Sequence, residues 1–170
     1  EDMRAGGKAS GYVLEECLKL GTVIKPAPPT GSGELTLASG SGCEISADGY
    51  LLGVAAGSSV EQVLGCFTNT GLRMLDASGA VLEAGAVVGT GCVVELLVDG
   101  TRADSCVVVV AGDVNGDGRI TASDYILVKR EILVGEGALT GAYYEAAKLN
   151  GGSLTASTYL LLKRQVLGLD

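Results

Sequence analysis

The run Asp113-Val114-Asn115-Gly116-Asp117-Gly118-Arg119-Ile120-Thr121-Ala122-Ser123-Asp124 spaces its oxygen-bearing side chains as a hard divalent cation requires. Calcium takes about six to eight oxygens at short range. Asp113, Asn115 and Asp117, at loop positions 1, 3 and 5, place alternate side-chain oxygens around one point. Gly118 at position 6 permits the sharp turn, and Arg119 at position 7 offers its backbone carbonyl. Thr121 at position 9 binds directly or through water, and Asp124 at position 12 closes the far side from the first turn of a helix. Ile120 between polar neighbours points to a core. A metal-free Asp/Asn/Gly surface turn would explain the glycines but neither the acid at position 12 nor the apolar residue at position 8.

The segment C-terminal to the loop is duplicated. Thr121-Ala122-Ser123-Asp124-Tyr125-Ile126-Leu127-Val128-Lys129-Arg130-Glu131-Ile132-Leu133 recurs 34 positions on as Thr155-Ala156-Ser157-Thr158-Tyr159-Leu160-Leu161-Leu162-Lys163-Arg164-Gln165-Val166-Leu167. Tyr125, Val128 and Ile132 share one helix face, as do Tyr159, Leu162 and Val166, which predicts helix packed on helix. Upstream the copies diverge. The second reads Lys148-Leu149-Asn150-Gly151-Gly152, one residue shorter, with Lys148 for the first acid and Thr158 for the last. An ammonium group at the first ligand position repels a cation. One calcium is therefore expected, at Asp113, Asn115, Asp117, Arg119, Thr121 and Asp124, and not two.

The loop spacing, the paired loop-helix units and the Lys-Arg pair on each helix resemble the dockerin family over residues 112 to 168. The resemblance implies two loop-helix repeats joined by a short helix, here Ala142 to Leu149 after Thr140 as N-cap. It implies a cohesin module on a scaffold or cell-surface protein as partner, and an extracellular bacterial location. Recognition positions carried over from the family are Ala122, Ser123, Lys129 and Arg130, matched by Ala156, Ser157, Lys163 and Arg164. Both copies keep the same four residue types although the second loop has lost ligands, which suggests that either helix can present to the partner.

Upstream the pattern changes. Ser10 as N-cap, Val13, Cys17 and Leu20 at helical spacing and Gly21 as stop predict one short helix, and Lys25 to Gly33 reads as a Pro/Gly/Ser linker. From Glu34 to about Val110 the period moves toward two, with turns at Asp48-Gly49, Ser78-Gly79 and Asp99-Gly100. One helix interrupts the strands, with Ser58-Ser59-Val60-Glu61 as capping box and Val60, Val63, Leu64 and Phe67 as its apolar stripe. The expected fold is thus multidomain. Residues 1–33 hold the helix and linker, 34–111 a small, mainly antiparallel β module with one helix, akin to an immunoglobulin-like β-sandwich spacer, and 112–170 an all-α dockerin-like module of paired calcium-loop and helix repeats.

Composition narrows function by exclusion. The chain has 170 residues, a net charge of −8 and no histidine. The charge argues against nucleic acid, which needs clustered Lys and Arg, and no apolar run approaches the roughly 20 residues of a membrane-spanning helix. Without histidine, Ser-His and Cys-His nucleophile pairs and most zinc hydrolases are ruled out. A carboxylate pair drawn from Asp76, Glu83, Glu95 and Asp99 reads as solvated turn acids, so a non-catalytic module is expected. The five cysteines, Cys17, Cys43, Cys66, Cys92 and Cys106, lack C-x-x-C spacing and read as small buried hydrophobes, with one disulfide within residues 43 to 106 as the alternative. The chain opens on Glu1-Asp2-Met3, as a trimmed fragment would. Two other readings stand beside docking: the loop as a structural clip with the helices packed permanently on the sheet, and the chain as the tail of a secreted hydrolase.

Overall fold

The computed structural model describes residues 33–135, 137–149 and 152–169. The helix expected over residues 10–20, nearly all of the linker, Cys17, and Asn150 and Gly151 of the second loop lie outside the described residues. The elements run β1 (Glu44–Ile45), β2 (Tyr50–Val54), α1 (Val60–Leu64), β3 (Leu72–Leu75), β4 (Val93–Val98), β5 (Thr101–Val110), α2 (Ala122–Val134), α3 (Gly141–Ala147) and α4 (Ala156–Val166).

The strands form one sheet in the order β1-β2-β5-β4-β3. Three pairings are antiparallel, and two of them are joined where the dipeptide turns predict: Asp48-Gly49 between β1 and β2, and Asp99-Gly100 between β4 and β5. The β2/β5 pairing is parallel, with Leu51 opposite Val108. The expectation of hairpins alone misses it, because the chain leaves β2 through α1 and β3 and returns to it only with β5. The sandwich expectation also gives way: the described strands make a single sheet, whose second layer is helical.

Alternation along β2 and β5 decides which layer lies where. Leu51, Cys106, Val108 and Val110 face α1 and join Val60, Val63, Phe67, Met74 and Val94 in one core. Tyr50, Leu52, Val107 and Val109 face the other way, into a second core with Val114, Val128, Ala142, Ala146 and Leu162 of the C-terminal helices. The unbroken run Val107-Val108-Val109-Val110 is thus buried on both faces, as such runs are in doubly covered sheets. Toward the β3 edge the second face turns polar. There Glu95, almost fully buried, takes Arg73 at 2.7 Å and Arg102 at 3.2 Å.

α1 starts at Ser59, whose side chain accepts from the Gln62 N–H while Gln62 reaches back to the Ser59 N–H. The capping box sits one residue later than Ser58 and Glu61 predict, and this frame buries Val60, Val63 and Phe67. Cys92 and Cys106 are buried in the first core, as expected, and Cys43 and Cys66 are half-buried with sulfurs 3.4 Å apart. All four described cysteines are free thiols.

Candidate metal loop and docking face

The loop begins where β5 ends. Gly112, at φ +91, donates its N–H to the Ala146 carbonyl of α3 at 2.9 Å, and Asp113 is next, with its side chain fully buried. Asp113 Oδ1 accepts from the Gly116 N–H at 2.7 Å, and its Oδ2 from Gly118 at 3.0 Å and from Thr90, in the turn before β4, at 2.9 Å. Burial pushes the Asp113 carboxyl above its ordinary value. The N–H donors of Thr90, Gly118 and Gly116 pull the other way, and the negative charge of Asp124 adds to the rise.

Asp124 is fully buried as well. One oxygen accepts from the N–H groups of Val114 and Asn115, at 3.0 and 3.2 Å, and the other from the N–H and hydroxyl of Thr121, at 2.8 and 3.0 Å. Position 12 therefore does two jobs: it folds the loop start onto the helix, and with Thr121 it closes the capping box of α2. Asn115 and Asp117 are exposed and turn on each other, Asn115 Nδ2 donating to Asp117 Oδ2 at 2.9 Å. Asn115 Oδ1 accepts from the Asp117 N–H and Asp117 Oδ1 from the Arg119 N–H, so alternate side chains brace the turn from within.

These donors suit a hard cation by chemistry and charge. All are oxygens, and the two buried carboxylates form no ion pair with Lys or Arg among the described residues. A divalent cation bound there would supply compensating positive charge. Among the described residues no three Asp, Glu, Cys or His side chains gather into a metal-holding group. Acids alone would therefore not hold a cation here, and the Asn115 amide, the Arg119 carbonyl and Thr121 would have to complete the shell.

The second copy keeps the cap without the charge. Thr155 and Thr158 form the capping box of α4, with a half-buried bond network where Thr121 and Asp124 stand in the first. Lys148 leans along α3 and binds Glu145 at 2.6 Å, with its ammonium 5.2 Å from the Tyr144 ring centre. That hydrogen bond to Glu145 raises the Lys148 pKa. α3 spans Gly141–Ala147 after Thr140, so the expected helix is present but stops short of Leu149, which has φ +58, and the Thr140 side chain makes no capping bond.

α2 and α4 pack through Val128, Leu162 and the Tyr125–Tyr159 pair, and turn their other faces outward. Ala122, Ser123, Lys129, Arg130, Ala156, Ser157, Lys163 and Arg164 are all exposed. Sequence reasoning missed the apolar residues among them: Ile126 is 57% exposed and Leu160 55%, Leu133 72% and Leu167 58%. Ala122, Ile126, Lys129, Arg130 and Leu133 lie on one face by helical spacing, and the same five positions recur on α4. The signal was available in the repeat, where Ile126 matches Leu160 and Leu133 matches Leu167 outside the buried stripe.

Residues 111–167 match the family model of the dockerin type I domain. The chain carries a dockerin module. No curated protein and no solved structure matches it. Dockerins are docking modules that bind calcium and cohesins, not catalysts, and the β-rich segment ahead of this one forms the sheet on which the dockerin rests. Among the described residues no helix is long and apolar enough to cross a membrane.

Proposed function

We propose that this chain tethers an extracellular bacterial protein to a cohesin on a scaffold or cell surface, through one calcium-filled loop and the outward faces of α2 and α4. The observation that carries the proposal is the repeated face. Small residues, a Lys-Arg pair and two exposed apolar side chains recur at matching positions on both helices, and none of these lies in the buried stripe. Exposed large apolar groups rimmed by charge are what a partner surface needs. The clip reading requires Lys129, Arg130, Lys163 and Arg164 to be enclosed by the sheet module, and all four are exposed.

Calcium acts upstream of the contact. Metal affinity and loop folding are linked, and Asp124 ties the loop to the first turn of α2, so filling the loop fixes where the α2 face begins. One site is proposed, at Asp113, Asn115, Asp117, Arg119, Thr121 and Asp124, because the second copy has lysine and threonine at the first and last ligand positions. The test is capture by a panel of cohesin modules with calcium and with chelator. Calcium-dependent retention by at least one cohesin is expected, and retention by none would sink the proposal.

A further inference from the structure

Thr90 is buried between the sheet and the loop, and all its polar atoms except the carbonyl are bonded across that junction. Its hydroxyl accepts from the Val110 N–H at 3.0 Å and donates to the Val110 carbonyl at 3.2 Å. Its own N–H donates to Asp113 Oδ2. A residue of the β module thus orients a carboxylate of the loop from 23 positions away in sequence.

The backbones on either side meet without side chains between them. A Cβ on Gly89 would collide with the Gly116 carbonyl and stand 2.8 Å from the Gly118 nitrogen. A Cβ on Gly116 would lie 2.8 Å from the Thr90 carbonyl, and one on Gly118 2.7 Å from that of Val88. Gly118 is therefore fixed twice, by its φ of +77 in the turn and by its approach to the Val88 backbone. Gly57, also in the β module, donates its N–H to the Gly118 carbonyl at 2.8 Å. Gly57, Gly116, Gly118, Thr90 and Asp113 form a single hydrogen-bonded seam, against which the Gly89 backbone packs directly.

We infer that the calcium-binding unit of this protein includes the Val88–Thr90 segment and Gly57 of the β module, so that calcium occupancy and the order of the sheet module are coupled through Thr90 and Asp113. This rests on the calcium reading of the loop. Partners that orient a ligand carboxylate typically set about 10–100-fold in metal affinity. The coupling is reciprocal, because a metal that binds better when the seam is closed also favours its closure.

The test uses the whole chain. Calcium is titrated by calorimetry into wild type and Gly89→Ala, and amide hydrogen exchange is measured with calcium and with chelator. Gly89→Ala is expected to weaken calcium binding about 10–100-fold. In wild type, the Thr90 and Gly57 amides, which donate to loop residues, are expected to gain at least about ten-fold protection with calcium. The exchange arm stands if Gly89→Ala fails to fold. Calcium heat in wild type with Thr90 and Gly57 protection unchanged overturns the inference alone, and the absence of any calcium heat overturns the metal reading and the inference with it.

Discussion

Tyr125 and Tyr159, equivalent residues of the two repeats, rest ring against ring, their centres 5.3 Å apart and their planes tilted by 30°. Contact between residues equivalent in the 34-residue repeat is what a local two-fold relation between the copies produces. Val128 and Leu162, the next equivalent pair, are fully buried beneath them. Truncating either ring should therefore loosen the α2/α4 pair to a similar extent. Tyr125→Ala and Tyr159→Ala are each expected to lower unfolding free energy by about 2 kcal/mol, with the double variant costing less than the sum. Urea denaturation reads it, and a large difference between the two single variants would argue against the two-fold relation.

That relation bears on docking. If the faces of α2 and α4 are interchangeable, reversing the charges on one leaves the other to bind. Lys129→Glu with Arg130→Glu, or Lys163→Glu with Arg164→Glu, should weaken cohesin capture roughly two-fold, about 0.4 kcal/mol, and all four together should abolish it. Calorimetry against a captured cohesin checks this. Loss of all binding from one helix alone would assign docking to that helix.

How far the chain is legible from its sequence divides along the range of the interactions. The loop, the helix after Thr140 and the turns at Asp48-Gly49 and Asp99-Gly100 depend on neighbours a few residues apart, and sequence spacing reports those; the capping boxes at Thr121 and Thr155 are as local but went unread. The parallel pairing of Leu51 with Val108, the single sheet and the bond from Thr90 to Asp113 join distant segments, which no local pattern specifies. One further signal lies in β5, where four consecutive valines point to cover on both faces, and hence to helices lying on the sheet. The oxygen-bearing loop residues were legible as residue types, but the burial of Asp113 and Asp124 and the exposure of Asn115 and Asp117 were not.

The two capping boxes offer a comparison within one molecule. Asp124 accepts from the N–H groups of Val114, Asn115 and Thr121, whereas Thr158 serves mainly its own helix start and the Ser153 carbonyl. Asp124→Ala strands four donors, the Thr121 hydroxyl and three backbone N–H groups, two of the latter on the segment that enters the loop. In chelator, where no metal contributes, it should cost about 3 kcal/mol, against about 1 kcal/mol for Thr158→Ala. Equal losses in chemical denaturation would mean that Asp124 acts only through calcium.

Buried thiols should limit stability at alkaline pH. Burial pushes the Cys106 thiol up from 9.0 to about 12, with Asp104 and Cys43 adding to the rise, and burial and its Cys66 partner push Cys43 to about 11. The phenols of Tyr50 and Tyr143 are raised as well, mainly by burial. In each case the folded chain holds its proton more tightly than the unfolded chain. The stabilisation this represents is complete below the unfolded value, near pH 9 for a thiol, and is lost as pH rises through the folded one. For Cys106, stability should fall between pH 9 and about 12, at up to about 1.4 kcal/mol per pH unit once the unfolded thiol is ionised. Urea midpoints taken from pH 8 upward should decline for wild type and decline less steeply for Cys106→Ala, whatever that variant loses at pH 8. Parallel declines would show that the Cys106 proton does not govern the alkaline limit.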